Sequence, residues 1–170
     1  MDSRKETLAA IHAHAHELHV ALIVDSRLDP ARVLAAIAHN ESRYGANNVP
    51  RHEPAFDAGG RYADRAALEK YGREAACSWG PWQVMYVTAK ELGYKGAPKE
   101  LADPEVSLPF AIKLVNERLI ERQGAKSLAE IAVGYNSGSI HGDAVKGYAG
   151  NCLMAYESRE TLDFLAGKFA

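Results

Sequence analysis

The first candidate for chemistry in this sequence is Glu41, a carboxylate on the apolar face of a predicted helix. Asp29 and Pro30 form a typical helix start, and apolar residues then recur at spacings of three and four. Glu41 lies four residues after Ile37, on the same apolar stripe. Because burial disfavours the charged form of a carboxyl, its pKa rises, and such a group can donate a proton as a general acid. The structural alternative is that Glu41 caps the helix end or pairs with Arg43.

Length and composition favour one ordinary globular domain. The chain has 170 residues, of which 47% are apolar and 25% are charged. A net charge of −2 provides no strong basic field, so we expect no nucleic-acid partner, and a helical DNA-binding domain is disfavoured. No apolar stretch reaches the ~20 residues of a membrane span, and the first residues do not resemble a secretory signal. We therefore expect a protein that is made in the cytoplasm and does not insert into membranes. We also expect it to be a monomer.

Cysteines and histidines are the remaining candidates for redox or metal chemistry. Cys77 and Cys152 are predicted to be buried free thiols, because one pair is no disulfide framework; a bridge is the alternative outside the cytoplasm. Residues 5–23 have helical spacing and include His12 and His16, which lie one turn apart. A zinc site needs three or four ligands, and no matching cluster follows. We expect a solvated helix face, with no metal and no organic cofactor.

Helical spacing also dominates the rest of the chain. Helices are predicted to begin at Pro81, at Ser127 and within the tail from residue 143. Residues 46–78 hold prolines and adjacent glycines, which predict a long loop with room for a small β-hairpin. The sequence therefore predicts a mainly α, single domain over residues 1–170.

Three short motifs follow one another at predicted helix ends. They are Glu41-Ser42, Gly80-Pro81-Trp82-Gln83 and Gly134-Tyr135-Asn136-Ser137-Gly138. Together they resemble the lytic transglycosylase catalytic domain, related to goose-type lysozyme, which shows Glu-Ser, Gly-Leu-Met-Gln and Ala-Tyr-Asn-Ala-Gly in this order. The resemblance covers about residues 15–156, the part of the chain that carries the motifs. It implies a lysozyme-like α-helical fold with a sugar-binding cleft, acting on the β-1,4 bond between N-acetylmuramic acid and N-acetylglucosamine in peptidoglycan.

The resemblance also implies a role for individual residues. Glu41 matches the family's single catalytic acid/base. Ser42 matches the serine that helps to fix it, and we also expect Ser42 to contact substrate. Gln83 matches the glutamine that lines the cleft, while Tyr135 and Asn136 match the pair that orders the catalytic carboxyl and the sugar. In the implied reaction the substrate's own N-acetyl group assists, Glu41 takes the proton of the muramic acid 6-hydroxyl, and the product is a 1,6-anhydro sugar.

Departures from the family pattern concern the second and third motifs. Pro81 and Trp82 stand where Leu and Met are usual, and Gly134 and Ser137 stand where Ala is usual. Trp82, like Trp79, has a ring that can stack on a sugar face, with core packing as the alternative.

The interval from Glu41 to Gln83 is longer than in typical members of the family, which leaves open whether the reaction is transglycosylation or hydrolysis. The segment Arg51-His52-Glu53-Pro54 within it looks more like phage-type muramidases. A second carboxylate there would make the protein a hydrolytic muramidase, because it would act opposite the general acid. The candidates, in order, are Glu53, Asp57 and Asp64. The structural alternative for Glu53 is an ion pair that orders the loop.

The implied partner is the glycan strand of peptidoglycan. A small wall-cutting enzyme without a signal fits a phage endolysin or prophage product that reaches the wall through a holin, or a virion component. The alternative of another class is a virion or tail protein that grips glycan without cutting it. Glu41 argues against this alternative, since a binding module has no need of a sheltered acid.

Overall fold

The computed structural model describes residues 3–20, 23 and 27–168. Its helices are α1 (Ser3–His14), α2 (Pro30–Ser42), α3 (Arg65–Tyr71), α4 (Tyr86–Glu91), α5 (Pro104–Lys113), α6 (Leu128–Ser137), α7 (Tyr148–Glu157) and α8 (Arg159–Leu165). Helix α5 continues directly into a π-helical segment, Leu114–Arg122. Three short strands, β1 (Arg51–His52), β2 (Cys77–Trp79) and β3 (Val84–Met85), form an antiparallel sheet in chain order. The predicted mainly α fold is confirmed.

Helix α2 is the central element of the domain. The Asp29 carboxylate caps it by accepting a hydrogen bond from the Arg32 N–H at 3.0 Å, and Pro30 occupies the first position, as predicted. Residues 33–38 are fully buried, where α2 packs against α1, α7 and α8. A helix enclosed in this way carries the side chains of its last turn into the interior of the domain.

The end of α2 is a left-handed turn that two non-glycine residues make. Arg43 and Tyr44 have φ values of 54° and 59°, a conformation that costs energy for side chains with a Cβ. The Tyr44 ring stacks on Phe164 with centroids 4.2 Å apart, and its hydroxyl hydrogen-bonds with Thr161 at 2.8 Å. These contacts with α8 hold the turn that ends the helix at Ser42.

Ser42 joins the end of α2 to the sheet. Its Oγ donates to the Pro81 carbonyl and accepts from the Gly45 N–H, both at 2.7 Å, and the residue is almost completely buried. Because Pro81 lies in the turn between β2 and β3, this side chain fixes the distance between the helix end and the sheet.

Residues 77–85 form a β-hairpin, so the predicted helix start at Pro81 is wrong. Trp79 pairs with Val84, and the turn between them is closed by the Gln83 N–H donating to the Gly80 carbonyl at 3.0 Å. A Cβ on Gly80 would lie 2.5 Å from a backbone oxygen, so only glycine fits this turn. A Gly-Pro pair is as typical of turns as of helix starts, and helix α4 begins only at Tyr86.

The remaining predictions for the fold are largely confirmed. The helix predicted over residues 5–23 is shorter, since α1 ends at His14 and a single turn, Ala15–Glu17, follows; residues 21, 22 and 24–26 lie outside the described part. Ser127 caps α6, and the tail forms α7 and α8. Cys77 and Cys152 are free and buried. Within the described residues, every helix is too short or too polar to span a membrane.

Substituting Ser42→Ala is expected to lower the free energy of unfolding by about 1–3 kcal/mol, because a buried carbonyl and a buried N–H would each lose a partner. Chemical denaturation measures this change, with Ser139→Ala as the control because Ser139 is exposed. Equal midpoints for wild type and Ser42→Ala would contradict the structural role.

Candidate active site

An open cleft of about 1500 Å³ has Glu41 in its wall. Its lining includes β1 with the loop that leads to α3, and the end of α6 with the loop that follows it. The hairpin turn, α4 and the π-helical segment complete the lining. Most of the predicted site residues line this cleft: Glu41, Glu53, Asp64, Gln83, Tyr135 and Asn136.

The Glu41 carboxyl is sheltered from water and held by two other side chains. Only 5% of the side chain is exposed. Its Oε1 accepts a hydrogen bond of 2.5 Å from the Tyr148 hydroxyl, and its Oε2 lies 3.6 Å from Nη2 of Arg51. Arg43, the partner expected in the structural alternative, instead hydrogen-bonds with the His39 ring, so that pairing is wrong.

The pKa of Glu41 is raised above its ordinary value. Burial is the main cause, because a carboxylate loses hydration there, and the negative charge of Glu53 acts in the same direction. The Tyr148 hydrogen bond and the Arg51 charge oppose the rise without cancelling it. A carboxyl in this state can remain protonated at higher pH than a surface glutamate, as a general acid requires.

Tyr148 is a site residue that sequence reasoning missed. It is the first residue of α7, where its apolar ring matched the spacing of a packed helix face and nothing marked its hydroxyl. Its carbonyl accepts from the Asn40 side chain at 3.1 Å, which ties the start of α7 to α2. Burial and the nearby Glu41 charge raise the Tyr148 pKa, so the hydroxyl stays protonated and serves as a donor to Glu41.

Tyr135 and Asn136 shape the cleft from the end of α6. The Tyr135 hydroxyl donates to the Trp82 carbonyl at 2.8 Å, and the Asn136 Oδ1 accepts from the Val145 N–H at 2.8 Å. The first bond connects α6 to the hairpin turn, and the second orders the loop before α7. A Cβ on Gly134 would lie 2.6 Å from a methyl group of the buried Leu119, so alanine at this position would require the Leu119 side chain to shift.

Two residues of the motifs, Trp82 and Ser42, do not line the cleft and instead make contacts inside the protein. Trp82 is fully buried and its indole N–H donates to the Leu34 carbonyl at 3.0 Å, so the prediction that it stacks on a sugar is wrong. The prediction that Ser42 contacts substrate is wrong as well, because its hydroxyl is hydrogen-bonded to the Pro81 carbonyl and the Gly45 N–H. Both residues attach the hairpin turn to α2.

Gln83 lines the cleft, but its side-chain amide is hydrogen-bonded mainly to other groups of the protein. Its Nε2 donates to the carbonyls of Val49 and Gly80 at 3.2 and 3.1 Å, and its Oε1 accepts from the Ser78 hydroxyl at 2.8 Å. The side chain thereby holds the hairpin turn against the segment before β1. Of its polar atoms, only Oε1 keeps a lone pair for a ligand.

The three candidates for a second carboxylate lie in different settings. Glu53 lines the cleft and is hydrogen-bonded to Nε of Arg51 at 2.9 Å. Asp64 lines it too, but it caps α3 and forms an ion pair with Lys90, which together lower its pKa. Asp57 binds the His52 ring at 2.8 Å and does not line the cleft, so its proposed role in the site is wrong. Within the described ranges, no group of three or more His, Cys, Asp or Glu is arranged to hold a metal ion.

The family model described as "Transglycosylase SLT domain" matches residues 24–152. The match includes the three sequence motifs, all of α2 and the hydroxyl donor at the start of α7. No curated protein and no solved structure matches the chain significantly.

Replacing Glu41 by Gln is expected to stabilise the fold near neutral pH. Because the folded-state pKa of Glu41 is raised above its ordinary value of 4.5, the folded protein binds more protons than the unfolded chain between the two values. The free energy of unfolding therefore falls as pH rises through this window, and the variant escapes that loss. Thermal melts should give Glu41→Gln a higher Tm than wild type at about pH 7 and the same Tm below about pH 4.

The control for the substitution itself is Glu157→Gln, which changes an exposed carboxylate on α7. A Glu41→Gln variant that is less stable than wild type at neutral pH would show that the ionised carboxylate contributes to stability, against the effect of burial.

Proposed function

Because the chain belongs to the transglycosylase SLT domain family, which comprises lytic transglycosylases acting on peptidoglycan, we propose that it cleaves the β-1,4 bond between N-acetylmuramic acid and N-acetylglucosamine and releases 1,6-anhydro-muramic acid ends. Glu41 is the acid and base of this reaction. The observation that carries the proposal is one sheltered carboxyl with a raised pKa in the wall of an open cleft.

In the first step, protonated Glu41 gives its proton to the glycosidic oxygen while the bond from that oxygen to C1 of muramic acid breaks. The departing N-acetylglucosamine leaves with a free hydroxyl. Positive charge develops on the muramic acid ring, and the substrate's N-acetyl group stabilises it, as the family resemblance implies. Tyr148 keeps the carboxyl oriented during this step, because its hydroxyl is bonded to Oε1 and leaves Oε2 toward Arg51.

In the second step, the 6-hydroxyl of the same muramic acid attacks C1, and its proton returns to Glu41. The enzyme regains its starting state and no water is consumed. The newly formed Glu41 carboxylate is stabilised in the interval by the Tyr148 hydrogen bond and the positive charge of Arg51. The same two groups limit the rise of the Glu41 pKa and so help Glu41 to give up its proton in the first step, while burial keeps the carboxylate basic enough to take a proton in the second.

A hydrolytic muramidase is the second candidate, since Glu53 lies in the cleft with Glu41. Such an enzyme needs a second carboxylate that is free to activate water or attack the sugar. Glu53 is hydrogen-bonded to Arg51, and Asp64 forms an ion pair with Lys90. Both interactions disfavour a role as the second catalytic carboxylate. We therefore favour transglycosylation.

The proposed biological role is cell lysis of the phage or prophage type. The resemblance of residues 51–54 to phage-type muramidases supports it. In this role the chain acts as a monomer on glycan strands, after passing a holin or as part of a virion.

Digestion of purified peptidoglycan should release muropeptides whose masses correspond to 1,6-anhydro-muramic acid ends. Glu41→Gln should lower the initial rate at least about 100-fold, the scale on which a general acid–base residue acts. Glu74→Gln is the control, because Glu74 pairs with Lys99 outside the cleft. Products heavier by one water would establish the muramidase instead, and release by Glu41→Gln at the wild-type rate would overturn the role of Glu41.

The lysis role predicts that a bacterial culture expressing the chain loses turbidity only when a holin is expressed with it. The Glu41→Gln variant with the same holin should leave turbidity unchanged. Lysis without a holin would show that the chain reaches the wall by another route and would contradict the proposed one.

A further inference from the structure

We propose that Arg51 is a positioning residue that faces Glu41 through both proton transfers, and that Glu53 acts on the reaction through Arg51 and not as a second catalytic carboxylate. The inference rests on the proposed function of Glu41. It concerns two side chains that the family motifs do not contain.

The sheet places Arg51 and Glu53 on the same side of the chain. Side chains in a strand alternate between two faces, so residues two apart point the same way. Arg51 pairs with Ser78 across the sheet, and the Glu53 N–H donates to the Ala76 carbonyl at 2.9 Å, which continues the pairing by one residue. His52, between them, is turned to Asp57 instead. The backbone therefore presents a cation and an anion together at the cleft.

The Arg51 guanidinium faces both carboxylates with different nitrogen atoms. Its Nε donates to Glu53 at 2.9 Å, a charge-assisted hydrogen bond, while its Nη2 lies 3.6 Å from Oε2 of Glu41. The longer distance is an ion pair without a hydrogen bond, so Oε2 remains free to exchange a proton with the substrate. Glu53 thus holds the planar guanidinium where its charge reaches Glu41 without blocking the reacting oxygen.

The other titratable groups close to Glu41 are neutral. Tyr148 and Cys152 face it from α7, and Tyr135 faces it from α6. Burial raises the pKa of all three, and the nearby Glu41 charge raises it further, so they stay protonated near neutral pH. Among the described residues, Arg51 and Glu53 are therefore the charges that shift the Glu41 equilibrium.

These two charges act on Glu41 in opposite directions. Arg51 stabilises its carboxylate form, and Glu53 destabilises it. An acid that must later become a base needs both forms within reach, because a strong bias to either one slows one of the two proton transfers. The Arg51–Glu53 pair supplies a partly compensated positive charge, weaker than that of a lone arginine.

The test is the pH dependence of kcat/KM on soluble, uncrosslinked glycan strands. Its alkaline limb reports the pKa of the acid in the free enzyme. Arg51→Gln should move this limb to higher pH, Glu53→Gln should move it to lower pH, and Arg51→Lys, which keeps the charge, should leave it near the wild-type position. Glu53→Gln should keep at least about a tenth of the maximal rate, unlike loss of an acid–base residue.

The double variant Arg51→Gln with Glu53→Gln separates a coupled role from two independent ones. If Glu53 acts through Arg51, its substitution should change the limb less in the Arg51→Gln background than in wild type. The matched control is the Lys99–Glu74 pair, which has the same 2.9 Å separation and lies outside the cleft. Lys99→Gln and Glu74→Gln should leave the limb in place.

A rate loss in Glu53→Gln as large as in Glu41→Gln would overturn the inference and make Glu53 a second catalytic carboxylate. An alkaline limb that stays fixed in folded Arg51→Gln and Glu53→Gln would reduce the pair to a loop-ordering contact. The released products distinguish these results from a failure of the proposed function, which is contradicted if the anhydro products are absent or if Glu41→Gln releases them at the wild-type rate.

Discussion

The removal of the Glu41 carboxyl from water is the interaction on which the rest of the structure depends. A buried carboxylate is costly unless it is neutral or paired, and here the fold uses both solutions. Burial raises the pKa of the carboxyl and so favours its neutral form, and its ionised form is tolerated because Tyr148 and Arg51 face its two oxygens. An acid that can also act as a base follows from this balance.

Placing that carboxyl imposes the architecture around it. Helix α2 packs against α1, α7 and α8 and is fully buried over residues 33–38, so Glu41 in its last turn lies beside the core. The helix must end directly after Glu41 for the cleft to open there, and a strained left-handed turn, held by Tyr44 and Ser42, provides that end. Strain of this kind is expected next to a functional site, where neighbouring contacts enforce a conformation that the chain would not choose.

Sequence reasoning found the elements whose signals are local and missed the contacts between remote ones. The cap, the apolar stripe and the position of Glu41 can be read from one helix, so α2 was predicted correctly. Tyr148 and Arg51 reach Glu41 from other elements, and no spacing rule reveals such contacts. Trp82 and Ser42 were misassigned because motif membership does not separate residues that line a cleft from residues that support it. A Gly-Pro pair likewise fits a turn and a helix start, and only pairing with β3 decides between them.

The most direct test of this account is a ¹³C NMR titration of the Glu41 side-chain carboxyl in the intact protein, with the signal assigned by its loss in Glu41→Gln. The account predicts a midpoint above the ordinary glutamate value of 4.5, because burial outweighs the Tyr148 hydrogen bond and the Arg51 charge. A midpoint at or below that value would show that Glu41 is an ordinary ionised carboxylate, and the sheltered acid on which the mechanism rests would not exist.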